Sequence, residues 1–247
     1  MKLLSSIIIL CIALISCGED SSTNAQDNQE FDYSLQNDMQ WEYEVNNDGE
    51  IRNATWYSSG GDAPDGESAL KILVVNGNES IEDAIKYNKY SYLNLESNSV
   101  SIYKNSIPSN LINDRIENNS YWEKVIDTDE DSWTIADIEY DSTYSHGLIE
   151  QITISITGEF VEEGKIEFQD EERRTITTKI TKEIILTSTL NGIERSKITE
   201  FETNEYTFME GVGFYKLVSY RKGLNVNREE IESTVVLQLV DYKLQSQ

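Results

Sequence analysis

Few side chains in this sequence have the types and spacing that catalysis or metal binding requires. His146 is the only histidine, and it stands between serine and glycine, a setting typical of a turn. A serine hydrolase of the common type needs a Gly-x-Ser-x-Gly elbow beside its histidine, and the chain has none. A zinc site would need several histidine or cysteine ligands, which are also missing. We therefore predict no catalytic residue, no metal centre and no cofactor.

One acidic run resembles the start of a calcium-binding loop. Asp127–Ser132 places oxygen ligands at the first, third and fifth positions of such a loop. The sixth position, which needs glycine, is Ser132, and the twelfth, which needs a bidentate glutamate, is Ile138. With half of the ligands missing, the run is better explained as an acidic turn between two strands.

The tryptophans are the candidate ligand-binding residues. Together with the tyrosines they could line a groove on one face of a sheet, although aromatic residues at strand spacing more often fill a core. Both interpretations are open at this point. The four residues are Trp41, Trp56, Trp122 and Trp133.

The first residues have the pattern of an export signal. Lys2 precedes an apolar stretch over residues 3–15, which is too short for a membrane-spanning helix of about 20 residues. The stretch ends in Leu14-Ile15-Ser16-Cys17, which resembles the lipobox of bacterial lipoproteins. The resemblance implies that the chain is cut before Cys17 and that the Cys17 thiol carries a diacylglycerol, which makes the membrane a partner.

This interpretation divides the chain into three parts: a lipoprotein signal peptide over residues 1–16, a flexible acidic tether over 17–30, and a single β-rich domain over 31–247. Cys11 leaves with the signal, so no disulfide is expected and the domain must be held together by its core. Glu19-Asp20 behind the lipid position resembles the surface-export signals of Bacteroidota lipoproteins. The resemblance implies the outer membrane, at either its periplasmic or its surface face.

The net charge of the chain argues against nucleic acid as a partner. The formal net charge is −25, and no basic patch compensates it. A field of that sign repels nucleic acid and anionic membrane surfaces, and it favours solubility and loose association with cations or basic partners.

Composition and alternation predict an all-β, mainly antiparallel fold with one or two short helices. Alanine, the best helix former, occurs only seven times, whereas isoleucine, valine, threonine and tyrosine are plentiful. Helix should make up less than about a fifth of the folded part, against ~30–35% in an average domain. The two helix candidates are Ser80–Ile85 and Pro108–Ile116. Alternating residues predict strands over Met39–Val45, Ile51–Tyr57, Leu70–Val75, Tyr90–Leu95, Val100–Tyr103, Gln151–Thr157, Thr175–Leu190, Ile193–Phe208, Gly213–Tyr220 and Ile231–Leu244.

Turn residues join these strands into a meander. Asn46–Gly49 predicts a tight hairpin turn, and Ser58–Gly66 is a loop by composition. Further turns are expected at Glu163-Gly164, Asn191-Gly192 and Lys222-Gly223.

One segment late in the sequence resembles a known family. Glu210-Gly211-Val212-Gly213-Phe214, together with the early Trp-x-Tyr strand, is similar to bacterial lipoproteins of the lipoprotein-carrier type. The resemblance implies a half-barrel, that is, a curved antiparallel sheet with a helix or loop across its concave side. From the residues alone, Gly211 and Gly213 permit a bulge or bend, so we expect at least one of them at a positive φ or at a bulge.

The sequence therefore predicts a lipid-anchored envelope lipoprotein that acts as a binding or interaction module and not as an enzyme. The alternative function is carriage of a lipid or another apolar ligand in the concave face of the half-barrel. A hydrolase is the least favoured class. The expected partner is an envelope protein or an apolar ligand.

Overall fold

The computed structural model describes residues 31–107, 120–224 and 229–244, and most of them belong to one antiparallel sheet. The exceptions with regular structure are helix α1 (Ile81–Lys86) and a 3₁₀ turn (Ser145–Gly147). The all-β prediction and the low helix content are confirmed, as is the first helix candidate. The second, Pro108–Ile116, lies outside the described residues. The strands are β1 (Met39–Asn47), β2 (Glu50–Asp62), β3 (Ser68–Asn76), β4 (Tyr90–Leu95), β5 (Ser99–Lys104), β6 (Tyr121–Asp127), β7 (Ser132–Thr143), β8 (Leu148–Phe168), β9 (Glu171–Leu190), β10 (Ile193–Met209), β11 (Gly213–Leu224) and β12 (Glu230–Leu244).

The twelve strands form two meanders that meet in the middle of the sheet. Their order is β6-β5-β4-β3-β2-β1-β12-β11-β10-β9-β8-β7, so β1 pairs with β12, and β6 and β7 are the two edges. The sheet curls until β6 packs against β8 and β9. At this contact the Thr178 hydroxyl of β9 donates a hydrogen bond of 2.5 Å to the Val125 carbonyl of β6. The curved meander predicted as a half-barrel is therefore confirmed, in a nearly closed form.

The concave face of the sheet holds the main core. Isoleucines alternate along β8 and β9, so that one face of each strand is apolar and buried. Residues 31–36, which have no regular secondary structure, pack at one end of the hollow, where the Phe31 and Tyr33 rings are 4.8 Å apart and Tyr33 lies 5.5 Å from the ring of Phe208.

Helix α1 lies on the opposite, convex face. The Ser80 hydroxyl caps it by accepting a hydrogen bond of 3.1 Å from the Asp83 backbone N–H. Its buried residue, Ala84, packs with Leu73 and Val75 of β3 in a second, smaller cluster. The helix therefore covers part of the outer surface and leaves the hollow to other residues.

The predicted turns have mixed outcomes. Asp48 and Gly49 both have positive φ, as do Asn191 and Gly192, so both two-residue hairpin turns are confirmed. Glu163-Gly164 and Lys222-Gly223 are not turns but lie within β8 and β11, and Ser58–Asp62 is the end of β2 and not a loop.

The continuation of β8 past Glu163-Gly164 has a physical reason. A register shift between Phe160 and Glu162 lets β8 continue to Phe168. The chain then turns at Gln169 and Asp170, with φ of 54° and 64°. This turn contains neither glycine nor asparagine, so the usual sequence signal is missing.

Gly211 and Gly213 have φ of 67° and 115°, which confirms the positive-φ prediction. Gly211 lies in the turn between β10 and β11 and Gly213 is the first residue of β11, so neither bends the interior of a strand. The irregularity nearest to them is a register shift between Thr207 and Phe208 in the β10–β11 pair. The curl of the sheet therefore does not come from a glycine kink inside β11.

Candidate functional site

Charged and hydroxyl side chains form a cluster inside the half-barrel, further along β9 and β10 from the Phe31–Phe208 end. We call it the interior ionic cluster. Its members lie at strand positions that otherwise carry buried apolar residues: Lys182, for example, stands between Ile180 and Ile184 on the inner face of β9. The members are Lys104 of β5, Tyr121 and Glu123 of β6, Lys182 of β9, and Glu202 and Tyr206 of β10.

The central ion pair joins Lys182 to Glu202. Their charged atoms are 2.6 Å apart, and their side chains are only 9% and 19% exposed. Asn204 donates a further hydrogen bond of 2.8 Å to the other carboxylate oxygen. Burial raises the pKa of Glu202, but the Lys182 ammonium and these hydrogen bonds outweigh it and hold the pKa below its usual value. Glu202 is therefore an anion at neutral pH.

A second group faces this pair from the other half of the sheet. The Tyr121 hydroxyl donates a hydrogen bond of 3.0 Å to Glu123, and the Lys104 ammonium lies 3.4 Å from the other oxygen of Glu123. Burial, followed by the charge of Glu123, raises the pKa of Tyr121 and also that of the fully buried Tyr206. Both hydroxyls are therefore neutral at physiological pH.

The interior ionic cluster is suited to holding the sheet in its curved form and not to acid–base chemistry. Each of the two carboxylates has an ammonium partner, and the neutral tyrosines can donate but are poor bases. Glu200 and Arg221 add a further ion pair of 3.8 Å on the same face. A charged group that is already paired in this way orders the structure around it, and losing its partner is costly.

The structure does not bring the four tryptophans into one groove. Trp41 is buried, and its indole N–H donates a hydrogen bond of 2.6 Å to the Val212 carbonyl. Trp133 is 8% exposed, covers Gly158 on the neighbouring strand, and donates to the Lys124 carbonyl at 2.9 Å. Both of these side chains belong to the core.

The other two tryptophans lie on opposite faces of the sheet. Trp56 is half-buried on the inner face, where its ring is 4.6 Å from that of Tyr43. Trp122 is on the outer face, 5.3 Å from the ring of Tyr103, and its indole N–H donates to Asp65 at 2.8 Å. Ligand binding by these four residues stays a prediction.

The remaining candidate residues lie in connections or outside the described residues. Cys17 is outside them. His146 is exposed in the 3₁₀ turn between β7 and β8, with φ of 71°. Asp127 ends β6, and the acidic residues after it form the connection to β7, as expected of an acidic turn. Within the described residues, no group of three or more histidine, cysteine or acidic side chains is arranged to hold a metal ion.

Sequence reasoning missed the interior ionic cluster, although one signal was present. Lys182 and Glu202 both stand at positions where the alternation of their strands calls for an apolar residue. A charge at such a position indicates a buried partner, because an unpaired charge in a core is rarely tolerated.

Comparison with known proteins gives two structural similarities. No family model matches the chain, and no curated protein matches it. A crystal structure of a candidate lipoprotein from Parabacteroides distasonis ATCC 8503 aligns with a TM-score of 0.40 and 11% identity, over 85% of this chain and 99% of that one. A candidate exported protein with a YmcC-like fold from Bacteroides fragilis NCTC 9343 aligns with a TM-score of 0.34 and 12% identity, over 86% of this chain and 100% of that one. Among the described residues, no helix is long and apolar enough to cross a membrane.

Proposed function

We propose that this chain is a lipid-anchored protein of the bacterial cell envelope whose β domain is an interaction module. The interaction module is supported by the hollow of the half-barrel, which is filled by side chains. The lipid anchor is supported by the apolar signal and by the lipobox that ends at Cys17.

The contents of the hollow favour an interaction module over a carrier. A carrier of lipid needs an open apolar cavity of about 300–1,000 Å³. Here the aromatic residues Phe31, Tyr33, Trp41 and Phe208 are buried at one end, and the interior ionic cluster lies further along. A depression of about 540 Å³ is found instead where β2 begins and β3 ends, and Ile51 is the single apolar side chain among the residues that line it.

The anchor can be tested with the two cysteines of the chain. The full chain, Cys17→Ser and the matched control Cys11→Ser are expressed in a bacterium that processes lipoproteins and is fed an alkyne fatty acid. The parent and Cys11→Ser should carry the label and should shorten by the length of the signal. Cys17→Ser should carry none. Equal labelling of Cys17→Ser, or loss of label in Cys11→Ser, would contradict a lipid on Cys17.

Carriage can be tested through tryptophan fluorescence. Trp122 lies on the outer face, so the Trp122→Phe variant keeps Trp41 and Trp133 as buried reporters of the hollow. The purified mature variant is titrated with a brominated short-chain fatty acid below its micelle concentration. An interaction module with a filled hollow should show no saturable quenching. Saturable quenching at one ligand per protein would support the carrier instead.

A further inference from the structure

The two edges of the sheet differ in how their backbone is protected. At the β6 edge, the side chains of Thr178 and Trp133 donate to the carbonyls of Val125 and Lys124. Within residues 31–107, 120–224 and 229–244, β7 pairs only with β8 and makes few contacts with β6. No described strand pairs with its other side, from Ala136 to Thr143, which is therefore an edge of the kind to which another chain can add.

The side chains of β7 alternate strictly along this edge. Ala136, Ile138 and Tyr140 point to the inner face, since their partners on β8 include the buried Ile154 and Ile152. Yet Ile138 and Tyr140 are each 37% exposed, whereas Ile154 and Ile152 are 1% and 2% exposed. The apolar inner face therefore continues to the edge, where it is left partly uncovered.

The outer face of the same strand carries three carboxylates in a row. Asp137, Glu139 and Asp141 are exposed and stand opposite the neutral Ser155, Thr153 and Gln151 of β8. Neighbours in the row are about 7 Å apart, because alternate residues of a strand are separated by twice the rise per residue.

No ion pair of the described residues includes any of the three. Some other carboxylates of the sheet are paired across strands, as in Glu159–Lys179 at 2.8 Å and Glu202–Lys182 at 2.6 Å.

We propose that the free edge of β7 accepts an extended segment of a basic partner protein by strand addition. The segment would alternate apolar residues, which cover Ile138 and Tyr140, with lysine or arginine, which pair with Asp137, Glu139 and Asp141. The proposal rests on the proposed interaction module and names its docking surface and the class of its partner.

A second copy of this chain does not fit the edge. In an antiparallel pair of two β7 strands centred on Glu139, Asp137 of one copy faces Asp141 of the other on the same face. Like charges directly opposite each other are destabilising. Charge complementarity therefore favours a basic strand over self-association.

The test uses the purified mature protein and a fluorescent peptide that alternates valine and lysine over about ten residues, the upper end of usual strand lengths. A peptide of the same composition, with the valines and the lysines in two separate blocks, controls for charge alone. Binding is followed by fluorescence anisotropy at about 50 mM salt, where screening is weak. Amide hydrogen exchange of β7 is measured with and without the peptide.

Two triple variants distinguish binding at the β7 edge from binding to the negative charge of the whole protein. Asp137→Asn/Glu139→Gln/Asp141→Asn removes three charges from β7. Glu44→Gln/Glu167→Gln/Glu183→Gln removes three from exposed positions on other strands. We expect the first to weaken binding of the alternating peptide at least about tenfold and the second to weaken it less than about twofold.

Peptide addition should also slow amide exchange over Ala136–Thr143 and leave the central strand β1 unchanged. Absence of binding, equal binding of the block peptide, equal losses in the two triple variants, or unchanged exchange in β7 would each overturn the proposal. None of these results bears on acylation of Cys17, so failure of strand addition is distinguishable from failure of the anchor.

Discussion

Removing one partner of the Lys182–Glu202 pair should test whether the interior ionic cluster stabilises the fold. Lys182→Met keeps most of the volume of the lysine and removes its ammonium. The Glu202 carboxylate is then left inside the half-barrel with Asn204 as its hydrogen-bond donor. Glu202→Leu makes the opposite change, and the double variant replaces the pair with two apolar side chains.

The structure sets the size of the expected effect. Removing one partner of a buried pair costs roughly 3–5 kcal/mol, because an uncompensated charge is left behind. Glu202 keeps 19% exposure, so each single variant should fall at the lower end, about 3 kcal/mol. The double variant should lose no more than about 3 kcal/mol, which gives a coupling energy of at least about 3 kcal/mol.

Urea unfolding of the parent, both single variants and the double variant measures these free energies. In a domain of this size, a loss of about 3 kcal/mol should also lower the melting temperature by roughly 6–12 °C. The control is the Lys179–Glu159 pair, whose side chains are 38% and 52% exposed. Lys179→Met should cost less than about 1 kcal/mol. If Lys182→Met costs no more than Lys179→Met, or if the two single effects simply add, the cluster does not stabilise the fold as described.

Three further predictions concern single positions. A Cβ added by Gly158→Ala would overlap the Trp133 indole, so this variant should lose about 1–3 kcal/mol in thermal unfolding. Gly61→Ala, whose Cβ would meet its neighbours at an ordinary 3.5 Å, is its control and should change stability little. Gly213→Val should lower stability by about 1–3 kcal/mol, because its φ of 115° is strained for any residue with a Cβ, and a melting temperature at or above that of the parent would refute this. The pKa of Glu202 is lowered on folding from its ordinary value of 4.5, so its stabilisation is complete above pH 4.5 and is lost as pH falls through the lower folded value. Glu202→Gln should therefore flatten the dependence of unfolding free energy on pH below about 4.5, and an unchanged slope would contradict it.

The sequence predicted the backbone correctly where the residue types themselves determine a turn. Asp48-Gly49 and Asn191-Gly192 form the expected hairpin turns because those residue types tolerate positive φ. Glycine wrongly predicted a turn where it instead allows close packing inside a strand. A Cβ on Gly223 would lie 3.0 Å from the Glu200 side chain, so this glycine allows close approach and does not mark a turn.

The candidate sites depend on strand order, which local patterns do not encode. The inward charge of Lys182 could be found from its position in β9, but the group that faces it across the hollow comes from β5 and β6. Likewise, the alternation of Ile138 and Asp137 could be seen in the sequence. That β7 lies at an edge, with its inner residues partly uncovered, follows only from the complete topology.

The pairing of β1 with β12 has a consequence for the order of folding. Within each meander, neighbouring strands are close in sequence, so they can pair early at little entropic cost. Among the described residues, the β1–β12 ladder, which joins Met39 to Leu244, is the one strand pairing between the two meanders. During synthesis, β1 therefore stays without this partner until β12 has been made, after all the other described strands. Until then the β1 edge of the first meander stays open, and a chain that stalls at this stage would expose it to aggregation.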